Sequence, residues 1–258
     1  MSVPSVAVHQ GADALAEAVS ARLLTRLVDA QASGRTARLV LTGGTIADAV
    51  HRAVARSSAR DAVDWAAVEV WWGDERFVAA DDPDRNDLQA RATLLDALPL
   101  TPALVHPMPS PEQSHGDPDL AAEMYADELA AATGPGDHEG APTFDVLMLG
   151  VGPDGHVASL FPGRPALYDD RAVVGVRGSP KPPPVRLTMT MPTLKHAHDV
   201  WFVVSGEDKA RAVRLALSGA GVVQVPAAGP KGMQTTLWQL DRAAASQLPP
   251  DLARISSP

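Results

Sequence analysis

Leu15, Val19, Leu23 and Leu27 recur at every fourth position of an alanine-rich stretch, and this spacing predicts an amphipathic helix over Ala12 to Gln31. Most of the remaining apolar residues fall in short runs: Arg38 to Leu41, Val68 to Trp72, Phe144 to Leu149, Val173 to Val176, Val200 to Val204 and Thr235 to Leu240. Runs this short, with almost no polar interruption, are what strands covered on both faces require, and such strands belong to parallel sheets. Between them, Ile46 to Val54, Asp87 to Leu98, Leu120 to Ala132 and Glu207 to Leu217 carry helical patterns, with Asn86 as an expected N-cap. Strand alternating with helix predicts a layered α/β fold around a mainly parallel sheet. Arg186, Thr188 and Thr190 alternate with Leu187, Met189 and Met191, a period of two whose polar face can meet a site. Loops are expected over Pro99 to Pro118, around a brief strand near Val105, over Thr133 to Pro142 with a solvated His138, and over proline-rich Gly178 to Pro184. A frayed tail is expected from Pro249 to Pro258.

Composition narrows the function classes. A chain of 258 residues can bury a sizeable core, and no repeat, heptad or linker divides it, so one domain spanning 1–258 is expected. Cysteine is absent, which excludes disulfides, thiolate metal sites and a cysteine nucleophile, and suits a cytoplasmic protein. No apolar stretch approaches the ~20 residues of a membrane span, and the N-terminus lacks a basic segment followed by an apolar one. A net charge of −9 argues against nucleic acid or an anionic membrane as the main partner. An anionic small molecule would need a local cluster of cations and backbone N–H groups.

Candidate chemistry gathers where apolar runs end. After the Phe144 run, Gly150, Gly152, Pro153 and Gly155 force an irregular loop that carries Asp154 and His156, a carboxylate beside the one side chain that ordinarily titrates near neutrality. Ligands of open α/β sheets bind at such strand ends. The three glycines match the dinucleotide fingerprint, yet Pro162 and Gly163 interrupt any long following helix, and Asp169 and Asp170 follow no apolar run, so that reading is set aside. Gly43, Gly44 and Thr45 lie between a strand and a helix, either as a tight turn or as an anion cradle of backbone N–H groups. Asp74, Glu75 and Arg76 follow the Val68 strand directly, and Lys209 stands in the first turn of a helix, against the dipole, as an anion ligand would or an ordinary surface lysine. Ser159 and Ser205 lack the setting of a serine nucleophile, and His196 and His198, beside Lys195, read as surface histidines of a turn rather than metal ligands. What remains is a histidine base acting on water or a substrate proton, better suited to an activated ester than to an amide.

The motifs LTGGT at Leu41 to Thr45, WWGDERFV at Trp71 to Val78 with Asn86 after it, LGVGPDGHVASLFPG at Leu149 to Gly163, SPKPPPVRLTMTMP at Ser179 to Pro192 and VSGEDKARAV at Val204 to Val213 together resemble the 6-phosphogluconolactonase family over nearly the whole chain. The resemblance implies a Rossmann-like three-layer fold like that of sugar-phosphate isomerases. It also implies hydrolysis of 6-phospho-D-glucono-1,5-lactone to 6-phosphogluconate, with no metal and no organic cofactor. His156 would then be the general base, with Asp154 orienting it or the substrate, and Asp74 and Arg76 would lie beside the sugar hydroxyls and the developing oxyanion. Gly43, Gly44, Thr45, Arg186 and Lys209 would hold the phosphate. A phosphorylated sugar lactone would be the only partner of a cytoplasmic monomer or small homo-oligomer. Two positions depart from the pattern: Ile46 and Ala47 stand where Thr-Pro is common, and Ala79 where proline is common. The related glucosamine-6-phosphate deaminases resemble the same loops but carry a glutamate five residues after the histidine, where this chain has Phe161. A non-catalytic sugar-phosphate sensor would not need His156.

Overall fold

The apolar runs pair side by side because each offers apolar side chains to both faces, and only a covered parallel sheet buries both. The computed structural model describes residues 2–135, 137 and 140–250. The expectation for His138, and most of that for the tail, fall outside them. Six strands form the main sheet: β1 (Pro4–His9), β2 (Ala37–Leu41), β3 (Val68–Trp72), β5 (Phe144–Leu149), β8 (Ala197–Val204) and β9 (Thr235–Asp241). Their order is β1-β9-β8-β5-β2-β3, all parallel. The edge strand β1 has no counterpart in the pattern analysis, since Pro4 and Ser5 break its apolar alternation and it is only partly buried. Proline at its first residue suits an edge, where one ladder N–H is dispensable.

Helices α1 (Ala12–Gln31), α2 (Thr45–Arg56) and α3 (Asn86–Thr93) cover one face of the sheet. Leu15, Val19, Leu23 and Leu27 of α1 are fully buried there with Leu39, Leu41, Val146 and Met148, and each such burial contributes about 1.5–3 kcal/mol. The intervening residues Val40, Leu147 and Leu149 point to the opposite face, packed with α4 (Pro118–Ala131), α5 (Ala210–Leu217) and a second sheet. This gives three layers, as the motif resemblance implies.

The second sheet is the main departure. Asp74, Glu75 and Arg76, expected in a loop, form β4 (Asp74–Arg76), which pairs antiparallel with β7 (Arg186–Met189), itself paired antiparallel with β6 (Val173–Val176). Gly73 makes the transfer, its N–H donating to Leu41 of the main sheet and its carbonyl accepting from Met189 of the small one. The register sets Asp74 against Thr188 and Arg76 against Arg186. Charged residues tolerate this buried strand because their partners are supplied: the Glu75 carboxylate accepts from the backbone N–H groups of Arg76, Asn86 and Asp87. Two of these are at the start of α3, so Glu75 caps that helix from another strand, and Asn86 is its first residue rather than its cap. Smaller differences follow the same logic of local satisfaction. The expected helix to Leu98 breaks after Thr93 into a 3-10 turn, Leu95–Ala97, and the expected strand near Val105 is a single bridge to Val70. Lys209 closes a 3-10 turn, Glu207–Lys209, as the cap residue of α5 rather than within its first turn. His198 lies within β8 and His196 just before it, not together in a turn.

Against the edge strand β3, His106 stacks on Trp71 with ring centroids 3.8 Å apart and sits between Glu69 (3.2 Å) and Glu128 (3.3 Å). Burial alone would lower its pKa, but the two carboxylates outweigh it and raise His106 to about 9. A folded pKa above the unfolded value means that the stabilisation is complete below about pH 6.5 and is lost as pH rises through about 9. Denaturant unfolding of the parent and of His106→Gln at pH 6 and pH 9.5 is expected to show the parent's advantage, on the order of 2 kcal/mol, disappearing at the higher pH. An advantage independent of pH would contradict the charged pairing.

Candidate active site

The chain leaves β2 toward β3 on one side and leaves β5 toward β8 on the other, although β2 and β5 are neighbours. That divergence opens a crevice at their carboxyl ends, the place where open α/β sheets bind ligands. Gly43 and Gly44 follow β2 there, and the loop carrying Asp154 and His156 follows β5. A cavity of about 280 Å³ occupies the crevice, lined by Gly43, Gly44, Asp74, Arg76, His156, Arg186 and Lys209 among others.

The imidazole of His156 is held from three sides. His156 Nδ1 meets Asp154 Oδ1 at 2.5 Å, which assigns the proton between them and leaves Nε2 to accept another. Phe161 packs its ring 4.6 Å from the imidazole. Gly152 lies against the third side, where a Cβ would overlap the imidazole and come within 2.6 Å of Asp154 Oδ1. Burial acts to raise the Asp154 pKa, but the hydrogen bond and charge of His156, with the ammonium of Lys181, hold it at about 2. Asp154 is therefore a carboxylate near neutral pH, where it keeps the imidazole oriented. Ala158, also on the cavity wall, adopts φ 48°, a left-handed conformation that costs a non-glycine residue about 1–3 kcal/mol and sits here beside the base.

Asp74 enters from β4, buried, with Oδ2 accepting from Ser159 Oγ at 2.7 Å. Ser159, which lacks a nucleophile's setting, thus positions a carboxylate, and its own N–H donates to Thr188 Oγ1. The Asn86 amide donates Nδ2–H to the Asp74 carbonyl at 2.8 Å and lies so close to Gly43 that a Cβ there would overlap its Oδ1. Asn86 therefore ties the turn after β2 to the strand bearing Asp74, and the lack of a side chain at 43 makes room for it.

Four cations line the cavity: Arg76, Lys181, Arg186 and Lys209. Burial, with Arg76 opposite it in the β-pair, lowers the Arg186 pKa, while Asp74 works against them. Lys209 also pairs with Asp208. Together these meet the requirement that an acidic chain place on an anion site. Thr45 is the exception among the expected phosphate ligands. It faces a neighbouring pocket of about 560 Å³ together with Arg52 and Ser205, which shares Gly43, Gly44 and Lys209 with the cavity but not Arg186. Asp154 also lies off the cavity wall, in contact with His156. Lys181, in the proline-rich loop, is the cation that sequence reasoning passed over. Among the described residues no group of three or more His, Asp or Glu is placed to hold a metal ion, and no helix is long and apolar enough to cross a membrane.

The chain is thus an α/β protein whose sheet presents a cation-lined cavity with an oriented histidine at its switch point. It belongs to the family described as glucosamine-6-phosphate isomerases/6-phosphogluconolactonase, whose model matches residues 10–238. A 6-phosphogluconolactonase of Streptomyces coelicolor is 53% identical over 251 residues, covering 96% of each chain. One of Mycobacterium tuberculosis is 45% identical over 247 residues, covering 95% of this chain and 98% of the relative. The solved structure of 6-phosphogluconolactonase from Trypanosoma brucei superposes with a TM-score of 0.82 at 25% identity, covering 96% of this chain and 99% of that one.

Proposed function

We propose that the chain hydrolyses 6-phospho-D-glucono-1,5-lactone to 6-phosphogluconate, with His156 as general base. The observation that carries this reading is the His156–Asp154 pair facing a four-cation cavity, in a chain so similar to proteins named for that activity. Water bound at Nε2 gives up a proton as its oxygen attacks the lactone carbonyl carbon, and the carbonyl electrons move to oxygen. Collapse re-forms the carbonyl and breaks the bond to the ring oxygen, which takes the proton back from His156. The product acid loses its proton to solvent. Asp74 and Arg76 lie where the sugar hydroxyls and the developing charge would be. Gly43, Gly44, Arg186 and Lys209 hold the phosphate, with Thr45 contributing from the adjoining pocket. On this reading the chain works as one domain in the cytoplasm, as a monomer or small homo-oligomer, on a diffusible metabolite, without metal, cofactor, nucleic acid or membrane.

Phe161 separates this reaction from ring-opening deamination, since an apolar ring occupies the position where a deaminase would carry its glutamate. Offered fresh lactone and glucosamine 6-phosphate in parallel, the protein is expected to consume the first and to release no ammonia from the second. The reverse result would replace hydrolase by deaminase. Lys209→Ala is expected to weaken 6-phosphogluconate binding by about 1.5–3 kcal/mol, the range of a charge-assisted contact, when titrated calorimetrically. Gluconate without the phosphate should bind parent and variant alike, and an equal loss for both ligands would take Lys209 out of the phosphate site.

A further inference from the structure

Lys181 sits in a loop that has every reason to be loose, between Gly178 and Pro184 at the surface, yet its backbone is held on both sides. Ser179 Oγ donates to the Lys181 carbonyl at 2.9 Å and accepts from the Lys181 N–H at 3.2 Å, and the Ser179 N–H donates to Pro184 at 2.9 Å. From beneath, the Arg186 guanidinium donates Nε–H to the Pro183 carbonyl at 3.2 Å, and Nη2–H to those of Pro182 at 2.8 Å and Lys181 at 3.3 Å. These contacts occupy one edge of Arg186, whose Nη1 is not among the donors, and they fix the direction in which the Lys181 side chain leaves the loop. That direction is into the cavity, which Lys181 lines while Ser179 does not. Asp154, Lys209 and Arg186 all act on the charge of Lys181, and Asp154 in turn feels Lys181 after His156. The ammonium is thus shared between the His156–Asp154 pair and the Arg186–Lys209 side of the cavity.

We propose that Lys181 is a catalytic residue that donates a hydrogen bond to the oxyanion formed at the lactone carbonyl, and that Ser179 is the positioning residue which aims it. Two functions meet in Arg186, which faces the substrate and also holds the loop that carries Lys181. The inference rests on the hydrolytic reading above. A fixed ammonium at the place where negative charge develops requires no reorganisation during the reaction, and this is the arrangement that stabilises a transition state rather than the bound ester.

The test is steady-state kinetics of parent, Lys181→Met, Ser179→Ala and the double variant on fresh lactone, with thermal unfolding of each as a control for folding. Lys181→Met is expected to lower kcat by about 100-fold or more while KM stays within about 3-fold, as for removal of an oxyanion donor. Ser179→Ala touches no cavity atom and is expected to lower kcat by about 10-fold through misplacement of the ammonium, and to have no further effect when Lys181 is already Met. A kcat within about 3-fold of the parent's, a loss confined to KM, or an undiminished Ser179→Ala effect in the Lys181→Met background would each overturn the assignment. A parent protein inactive on the lactone would instead remove the hydrolytic reading itself, so the two failures are distinguishable.

Discussion

His156→Ala is expected to lower kcat for lactone hydrolysis at least ~100-fold with only a modest change in KM, because general-base catalysis acts in the transition state and not in substrate binding. The imidazole is fixed by Asp154 at 2.5 Å and by Phe161, and its removal deletes that ring without disturbing the cations that line the cavity. Kinetics of the purified variant check this directly. An unchanged kcat would remove His156 from the reaction.

Gly152→Ala should cost nearly as much, although it alters neither partner of the pair. A methyl group at 152 would overlap the imidazole and approach Asp154 Oδ1 to 2.6 Å, so the pair must separate or the loop must move. A misplacement of about 1 Å in a catalytic group can cost on the order of 100-fold in rate. The expected signature is a kcat near that of His156→Ala together with a preserved affinity for 6-phosphogluconate, measured by calorimetry. A fully active Gly152→Ala enzyme would mean that the orientation of His156 seen here is not the working one. Gly152 thus has a different part from the one its place in an apparent dinucleotide fingerprint suggests. It makes room for the His156 imidazole.

The parallel sheet was legible in the sequence because buried strands must be apolar on both faces, and the pattern of Phe144–Leu149 or Val68–Trp72 states this without help from distant residues. The location of the site was legible for a related reason, since glycines and charges directly after such runs mark the carboxyl ends of strands. The small sheet was legible only in part, through Val173–Val176 and the alternation that begins at Arg186. Its strand Asp74–Arg76 consists of charges whose partners are Ser159 and Thr188, far along the chain, and the backbone N–H groups at the start of α3, and local pattern carries no trace of that satisfaction. The same applies to Asn86. Read locally it is a helix cap, whereas its amide reaches Asp74 and fills the space left by Gly43. Lys181 escaped notice because a proline-rich loop reads as a connector, and only the clamp formed by Ser179 and Arg186 reveals that the loop is aimed. The cations recovered from sequence, Arg76, Arg186 and Lys209, were found through motifs, and it is the antiparallel register of Arg76 with Arg186 that brings two of them together.

The central claim, that this cavity hydrolyses a phosphorylated sugar lactone, is tested most directly by following acid release from freshly prepared 6-phosphogluconolactone in weak buffer. Release should exceed the spontaneous rate in proportion to the concentration of the parent protein, whereas release at the spontaneous rate, whatever the amount of protein added, would contradict the account.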